Sequence, residues 1–399
     1  MIGPLREDGA SAGPILKYYA FEATRRASFS VPIFVLFYTS RGLSLAQVGL
    51  LEALWTVVVL VFEAPTGYLG DRIGRRWSLV IGTLLSATGA VAFVFAHSFP
   101  VFAGIALLRG IAHTFKSGAQ EAWLYDTLQR QSDEDQFAHH AGHAGALATV
   151  SHGGAALVGG ALYSVDPTLP WLLEGVVVGS GALVVLSIRH PQAGSREVHS
   201  ERLSVSRAIA LARDTLWTRD LGVFTVYTAL LFGLLNTLSI YVQPVSTEVL
   251  GIDPARLGFV YAGLAAVSAG VTSRAGWFDA RVGARNWYVI TPPAVALSLV
   301  AVSVAPLLTL PVFVLARSVG SASRPLFAQY FNDRTESDGR ATLLSVSSTV
   351  RSLATAPLNV LGGALAGIVS LPTAMSLLGT VLFAGSVLAL VTWRESVPP

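Results

Sequence analysis

Gly67-Tyr68-Leu69-Gly70-Asp71-Arg72-Ile73-Gly74-Arg75-Arg76 is the stretch from which the rest of the chain can be read. It joins two apolar runs, each long enough to cross a bilayer. A second version stands 209 residues further on, where Gly276, Arg281, Gly283 and Arg285 repeat Gly67, Arg72, Gly74 and Arg76. The register also holds backwards without a gap. Gly42 pairs with Gly251, Ser44 with Asp253, Ala46 with Ala255, Gly49 with Gly258 and Ala53 with Ala262. A fixed shift kept across a loop, a whole span and the next loop is hard to obtain by chance. It makes the second half a copy of the first in the same orientation. Parallel repeats about an axis along the membrane normal are a transporter architecture. The pairing loosens later. Arg109 and Lys116 match Arg317 and Arg324 at a shift of 208, and Asp126 matches Asp333 at 207.

Composition agrees with a chain that lives in lipid. Of 399 residues, 52% are hydrophobic and 13% charged, against ~25% charged in ordinary soluble domains. Mean hydropathy is +0.58. The apolar runs are continuous rather than alternating, which argues against a β-barrel. Helices are expected near 15–40, 44–69, 77–97, 100–129, 138–164 and 168–189. Six more are expected near 220–247, 254–278, 286–306, 308–331, 339–369 and 371–393. The fold class expected is therefore all-α, with twelve transmembrane helices in two pseudo-symmetric six-helix bundles. These are residues 1–189 and 220–399, joined by a polar linker over 190–219. Within the linker, Val205, Ile209, Ala212 and Leu216 share one face of a short amphipathic helix suited to a membrane surface.

Arginine sets the orientation. Arg72, Arg75, Arg76, Arg130, the linker arginines, Arg281, Arg285, Arg334, Arg340 and Arg394 fall on one side. Only Arg41 and Arg256 fall in the opposite loops. The positive-inside rule puts both termini and the linker in the cytoplasm. Ser44 and Asp253 are suitable N-caps at the other end of their helices. No clean short apolar core with a small-residue cleavage site follows Arg6, Glu7 and Asp8, so a cleaved signal peptide is not expected.

The loop between the second and third spans resembles the signature of the major facilitator superfamily, G-x-L-x-D-R-x-G-R-R. The resemblance extends through span count, linker and repeat. It implies a gating role for Gly67, Asp71, Arg72, Gly74, Arg75 and Arg76. Physically, Gly67 allows close helix approach and Gly74 a tight turn. Asp71 can face a helix N-terminus of the other half near Gly339. Arg75 or Arg76 can pair with Asp126 at the end of helix 4. The second copy is degraded, with Asp279 one place early and Ala284 in place of an arginine.

Charge at membrane depth is costly, so each such residue is a functional candidate. Helix 4 carries Arg109, His113, Lys116 and Gln120 on one face, and helix 10 carries Arg317, Ser321 and Arg324 at matching spacing. The resemblance implies a coupling or substrate role for the mid-helix-4 arginine, here Arg109. Arg25, Arg26, Glu63, Glu121, Asn236, Gln243 and Arg351 complete the expected cavity set. Glu22 can pair with Arg25 or Arg26 within one turn, whereas Glu174 and His152 read as isolated packing residues. Gly153, Gly154, Gly159 and Gly160 loosely resemble an exporter motif whose proline is replaced by Ala156.

Two substrate readings stay open. One is proton-coupled efflux or exchange, with Glu63 or Glu121 titrating. The other is uptake or exchange of an organic anion on guanidinium groups. A non-transporting receptor or scaffold on the same fold is the third. The expected partners are the lipid bilayer, a small solute and a proton, in a monomeric chain of the plasma or inner membrane. Nucleic acid is not an expected partner, since the basic residues are scattered. No cofactor is expected: neither lysine follows a glycine as a phosphate loop requires, and there is no cysteine. Metalloprotease and serine-hydrolase motifs are also lacking, so an enzyme is not expected. His139, His140 and His143 read as an interface cluster rather than a metal site.

Overall fold

An apolar run in lipid can satisfy its backbone polar groups only within a helix or a closed barrel. The computed structural model, which describes residues 12–120, 122–124, 137–187, 219–332 and 340–394, takes the helical solution, and no strand occurs among these residues. The helices are α1 (Ala12–Arg26), α2 (Phe34–Ser40), α3 (Leu45–Ile73), α4 (Arg75–Val94), α5 (Phe99–Ser117), α6 (Phe137–Val165) and α7 (Leu169–Leu186). They continue with α8 (Arg219–Thr237), α9 (Ser239–Pro244), α10 (Leu257–Thr272), α11 (Ala275–Val282), α12 (Ala284–Ala301), α13 (Thr309–Asn332), α14 (Arg340–Ile368) and α15 (Leu371–Arg394). The expected linker helix lies outside the described residues apart from Arg219, as do Glu121 and Asp126.

Eight helices among the described residues are long and apolar enough to cross a membrane. Large apolar side chains such as Val150, Val176, Leu183, Phe259 and Leu388 point outward, as a lipid-facing surface requires. Polar side chains such as Glu22, Glu174, Gln243 and Asn359 are buried.

Helix 1 differs from the continuous span expected over 15–40. It breaks between Arg26 and Phe34. Pro32 supplies no N–H and disfavours helical geometry at Val31, which weakens the helix at this point. Buried side chains take up the freed backbone groups. The Ser30 N–H and Oγ–H donate to Glu174 Oε2 at 2.9 and 2.6 Å. The N–H groups of Val35 and Leu36, in the first turn of α2, donate to Gln243 Oε1 at 2.8 and 3.2 Å. Gln243 thus fills from a distance the role an N-cap side chain fills locally. At α3 the cap is local. Gln47 N–H donates to Ser44 Oγ and Ser44 N–H donates to Gln47 Oε1, a capping box.

The repeat is visible in backbone geometry. The positive-φ glycines among the described residues are Gly42, Gly74, Gly251 and Gly283, two pairs at the sequence shift. Gly74 (φ 86, ψ 150) precedes α4 as Gly283 (φ 74, ψ 146) precedes α12. Packing repeats as well. Gly175 of α7 lies against Ala87 O and Val91 N of α4, and Gly379 of α15 lies against Ala296 O and Val300 N of α12. Ala296 and Val300 are the residues that pair with Ala87 and Val91.

The chain divides into two compact units. The first comprises Met1–Phe34, Val61–Gly194 and Pro254–Ala265, and the second Val35–Leu60, Ser195–Asp253 and Ala266–Pro399. Each unit therefore takes in a segment from the other half of the sequence, and glycine crossings account for it. In the first unit, Gly258 of α10 packs on Ala156 and Leu157 of α6, and Gly160 packs on Ala255 and Gly258. In the second, Gly49 of α3 meets Gly363 and Asn359 of α14. Gly49 and Gly258 are partners in the repeat. Small residues at such crossings let backbones approach and gain close packing.

Candidate functional site

The signature loop is built around Gly74. Its positive φ suits glycine and turns the chain sharply from α3 into α4. The arginines then act on helix ends of the first unit. Arg75 Nη1 donates to Ala122 O at 2.9 Å, and Arg76 Nη2 donates to Leu186 O at 2.5 Å. The second contact places a cation on the carbonyl end of α7, where it opposes the helix dipole. Arg72 lies over the Tyr68 ring at 4.6 Å. Asp71 is exposed beside it. In the second copy Arg281 likewise sits over Trp277 at 5.5 Å, and Asp279 accepts from Gln329 Nε2 at 2.7 Å. The displaced carboxylate is thus engaged within its own unit.

The expected charges of the first unit gather on α1, α5 and α7. Arg25 is paired with Glu22, through Nε at 3.1 Å and Nη2 at 2.5 Å. Arg109 reaches Glu174, with Nη2 at 3.7 Å from Oε1. Its guanidinium also lies over Phe93 and Trp171, whose rings stack 3.7 Å apart. Gly89 makes room for the stem, since a Cβ there would fall 2.7 Å from Arg109 Cγ. Lys116 donates to Ser86 Oγ at 2.6 Å. It also lies within electrostatic reach of Arg25, Arg26, Arg109 and Glu174, and His113 within that of Arg25, Arg26 and Lys116. The helical spacing of Arg109, His113 and Lys116 therefore does bring one charged cluster together. Its cations are partly compensated by Glu22 and Glu174. Glu174, read from sequence as an isolated packing residue, is the centre of this network. Its signal was a lone carboxylate in an otherwise apolar span. Glu63 is exposed on α3.

In the second unit Arg317 donates from Nε to Ser268 Oγ at 3.0 Å. Arg351 of α14 lies between two rings, 5.3 Å from Phe232 of α8 and 5.2 Å from Phe327 of α13. Arg324 stands one turn before Phe327 on the same helix, exposed. Ser323 beside it is fixed from α12, with Trp287 Nε1 donating to its Oγ at 2.9 Å and Tyr288 Oη to its carbonyl at 2.6 Å. Two turns along α14 from Arg351, Asn359 Nδ2 donates to Asn236 Oδ1 at 3.3 Å and Asn359 Oδ1 accepts from Thr237 Oγ1 at 2.8 Å. Asn236 is exposed, and Gln243 is buried at the helix-1 break. Phe232, Phe327 and Asn359 were not legible as site residues, because aromatics and an asparagine in a span carry no period of their own.

A profile of the Major Facilitator Superfamily matches residues 20–358, and the chain belongs to that family. It is a multi-pass integral membrane protein. Among curated relatives, the uncharacterized MFS-type transporter YxaM of Bacillus subtilis is 23% identical over 253 residues, 61% of this chain and 61% of the relative. The uncharacterized MFS-type transporter MJ1317 of Methanocaldococcus jannaschii is 28% identical over 138 residues, 35% of this chain and 34% of the relative. The chain thus spans less than two thirds of the length of these relatives. Among solved structures, the nucleoside transporter NupG superposes with TM-score 0.78 at 12% identity, covering 97% of this chain and 99% of that one. A bacterial homolog to the human lysosomal transporter Spinster, in an inward-facing and unoccupied conformation, gives 0.74 at 17% identity, covering 98% and 99%. At these identities the likeness is one of fold.

Proposed function

We propose that this chain is a secondary active transporter that moves a small organic anion by alternating access, and not an enzyme. The observation that carries the reading is the surplus of arginine at membrane depth within a Major Facilitator Superfamily chain. Guanidinium is the group best matched to carboxylate and phosphate, and cations at such depth mark substrate or ion paths. Twelve spans in two bundles, residues 1–189 and 220–399, with both termini and the 190–219 linker cytoplasmic, follow from the repeat and the arginine asymmetry. A plasma or inner membrane setting and a monomeric chain complete the proposal. The loop from Gly67 to Arg76 acts as the cytoplasmic latch.

Proton coupling, as efflux or exchange, is the second reading. Its support is Glu63, an exposed carboxylate within the long apolar run of α3 between Glu52 and Asp71. Flux of labelled organic anions into proteoliposomes, with and without a pH gradient, tests both. Uptake of an anion is expected, and acceleration by the gradient adds the proton. Equal movement of neutral solutes such as nucleosides would overturn the anion reading. In the same assay Asp71→Asn is expected to slow flux several-fold while leaving membrane insertion intact. Unchanged flux would remove Asp71 from the latch.

A further inference from the structure

We propose that Arg324 and Arg351 form a dianion-binding subsite in the second unit, which takes the doubly charged end of the solute, a phosphate monoester or a dicarboxylate. The inference rests on the anion-transport reading and narrows it. Both sequence halves carry arginine at depth, yet the two units treat it differently. In the first unit Arg25 and Arg109 each have a carboxylate partner, Glu22 and Glu174. In the second, no carboxylate pairs with Arg324 or Arg351 among the described residues. Arg351 is instead held by two phenylalanine faces. Cation–π contact stabilises a guanidinium but leaves its charge and its in-plane N–H donors for an oxyanion.

The two cations are brought together rather than spread apart. Phe327, which contacts Arg351, lies one turn from Arg324 on α13, and Arg324 lies within electrostatic reach of Arg351. Like charges within electrostatic reach repel, and a bound dianion would relieve the repulsion. Trp287 and Tyr288 tie α13 to α12 at Ser323, the residue before Arg324. Asn236, exposed on the same α8–α14 seam and held by Asn359 Nδ2, offers its amide to the polar remainder of the solute.

The full-length chain in detergent, assayed by thermal shift, tests the subsite. The probes are glycerol 3-phosphate, succinate, acetate and glycerol. A rise in Tm is expected with glycerol 3-phosphate or succinate, and much less with acetate or glycerol, since a ligand that binds the folded state stabilises it. Whichever of the two dianions acts names the source. Arg324→Gln, at an exposed position that should fold, is expected to weaken the response at least ~10-fold in midpoint concentration. Arg351→Lys keeps the charge and is expected to weaken it less than Arg351→Ala. A dianion response unchanged in Arg324→Gln, or no dianion response in wild type, overturns the subsite. Flux separates the two proposals. Transport without a dianion response removes the subsite alone, and a dianion response without flux removes the transport reading alone.

Discussion

Replacing Glu174 with alanine is expected to be among the most damaging single changes in the first unit. The carboxylate is almost wholly buried, at 6% side-chain exposure, and joins the helix-1 break to Arg109. Its Oε2 accepts both the Ser30 N–H and Oγ–H. Without it a backbone donor in a dry interior has no acceptor, and Arg109 loses its counter-charge. Breaking a buried charged network in this way costs about 3–5 kcal/mol. Most of that comes from the hydrogen bonds to Ser30, because Arg109 is 36% exposed and its approach is a long 3.7 Å. Glu174→Gln keeps an acceptor oxygen and is expected to lose about half as much. Thermal unfolding in detergent measures both. A Glu174→Ala protein as stable as wild type would mean that the helix-1 break is held by something else.

The second large effect is expected at the glycine crossing of α3 and α14. A Cβ on Gly49 would lie 2.9 Å from Gly363 Cα and would collide with Asn359 O. Both obstacles are backbone, so no rotamer change relieves them. Gly49→Leu must push the helices apart, at a cost of about 3 kcal/mol or more. Gly258→Leu, the repeat partner, is expected to behave alike, because its Cβ would fall 2.8 Å from Leu157 Cα. Gly367→Leu on α14 has open space and serves as the control. If closing these crossings is one step of the transport cycle, both variants lose flux by more than their stability explains. Full flux in Gly49→Leu would show that the crossing need not close.

Much of this was legible in the sequence, for identifiable reasons. The 209-residue shift found Gly42, Gly74, Gly251 and Gly283, because a positive φ constrains residue type and glycine therefore persists at those positions. The 4-3-4 spacing on helix 4 found Arg109, His113 and Lys116, because helical periodicity is strong in an apolar background. The break in helix 1 was not found. Pro32 alone does not end a membrane helix, and the break depends on Glu174 and Gln243, which come from distant helices. The pairing of Glu174 with Arg109 was missed for the same reason. It is a tertiary contact across 65 residues between spans that each look ordinary. That Arg25 and Arg109 meet carboxylates while Arg351 meets two phenylalanine rings depends on which side chains come together, and spacing along one helix does not encode that.

Trans-stimulated uptake in proteoliposomes tests the central claim most directly. Vesicles containing the purified chain are preloaded with an unlabelled organic dianion, and entry of the labelled one is followed. A carrier with one site exposed alternately to each side should take up label several-fold faster into loaded vesicles than into empty ones. Uptake that is equal in loaded and empty vesicles, or no uptake at all beside a folded protein, would contradict alternating-access transport of an anion by this chain.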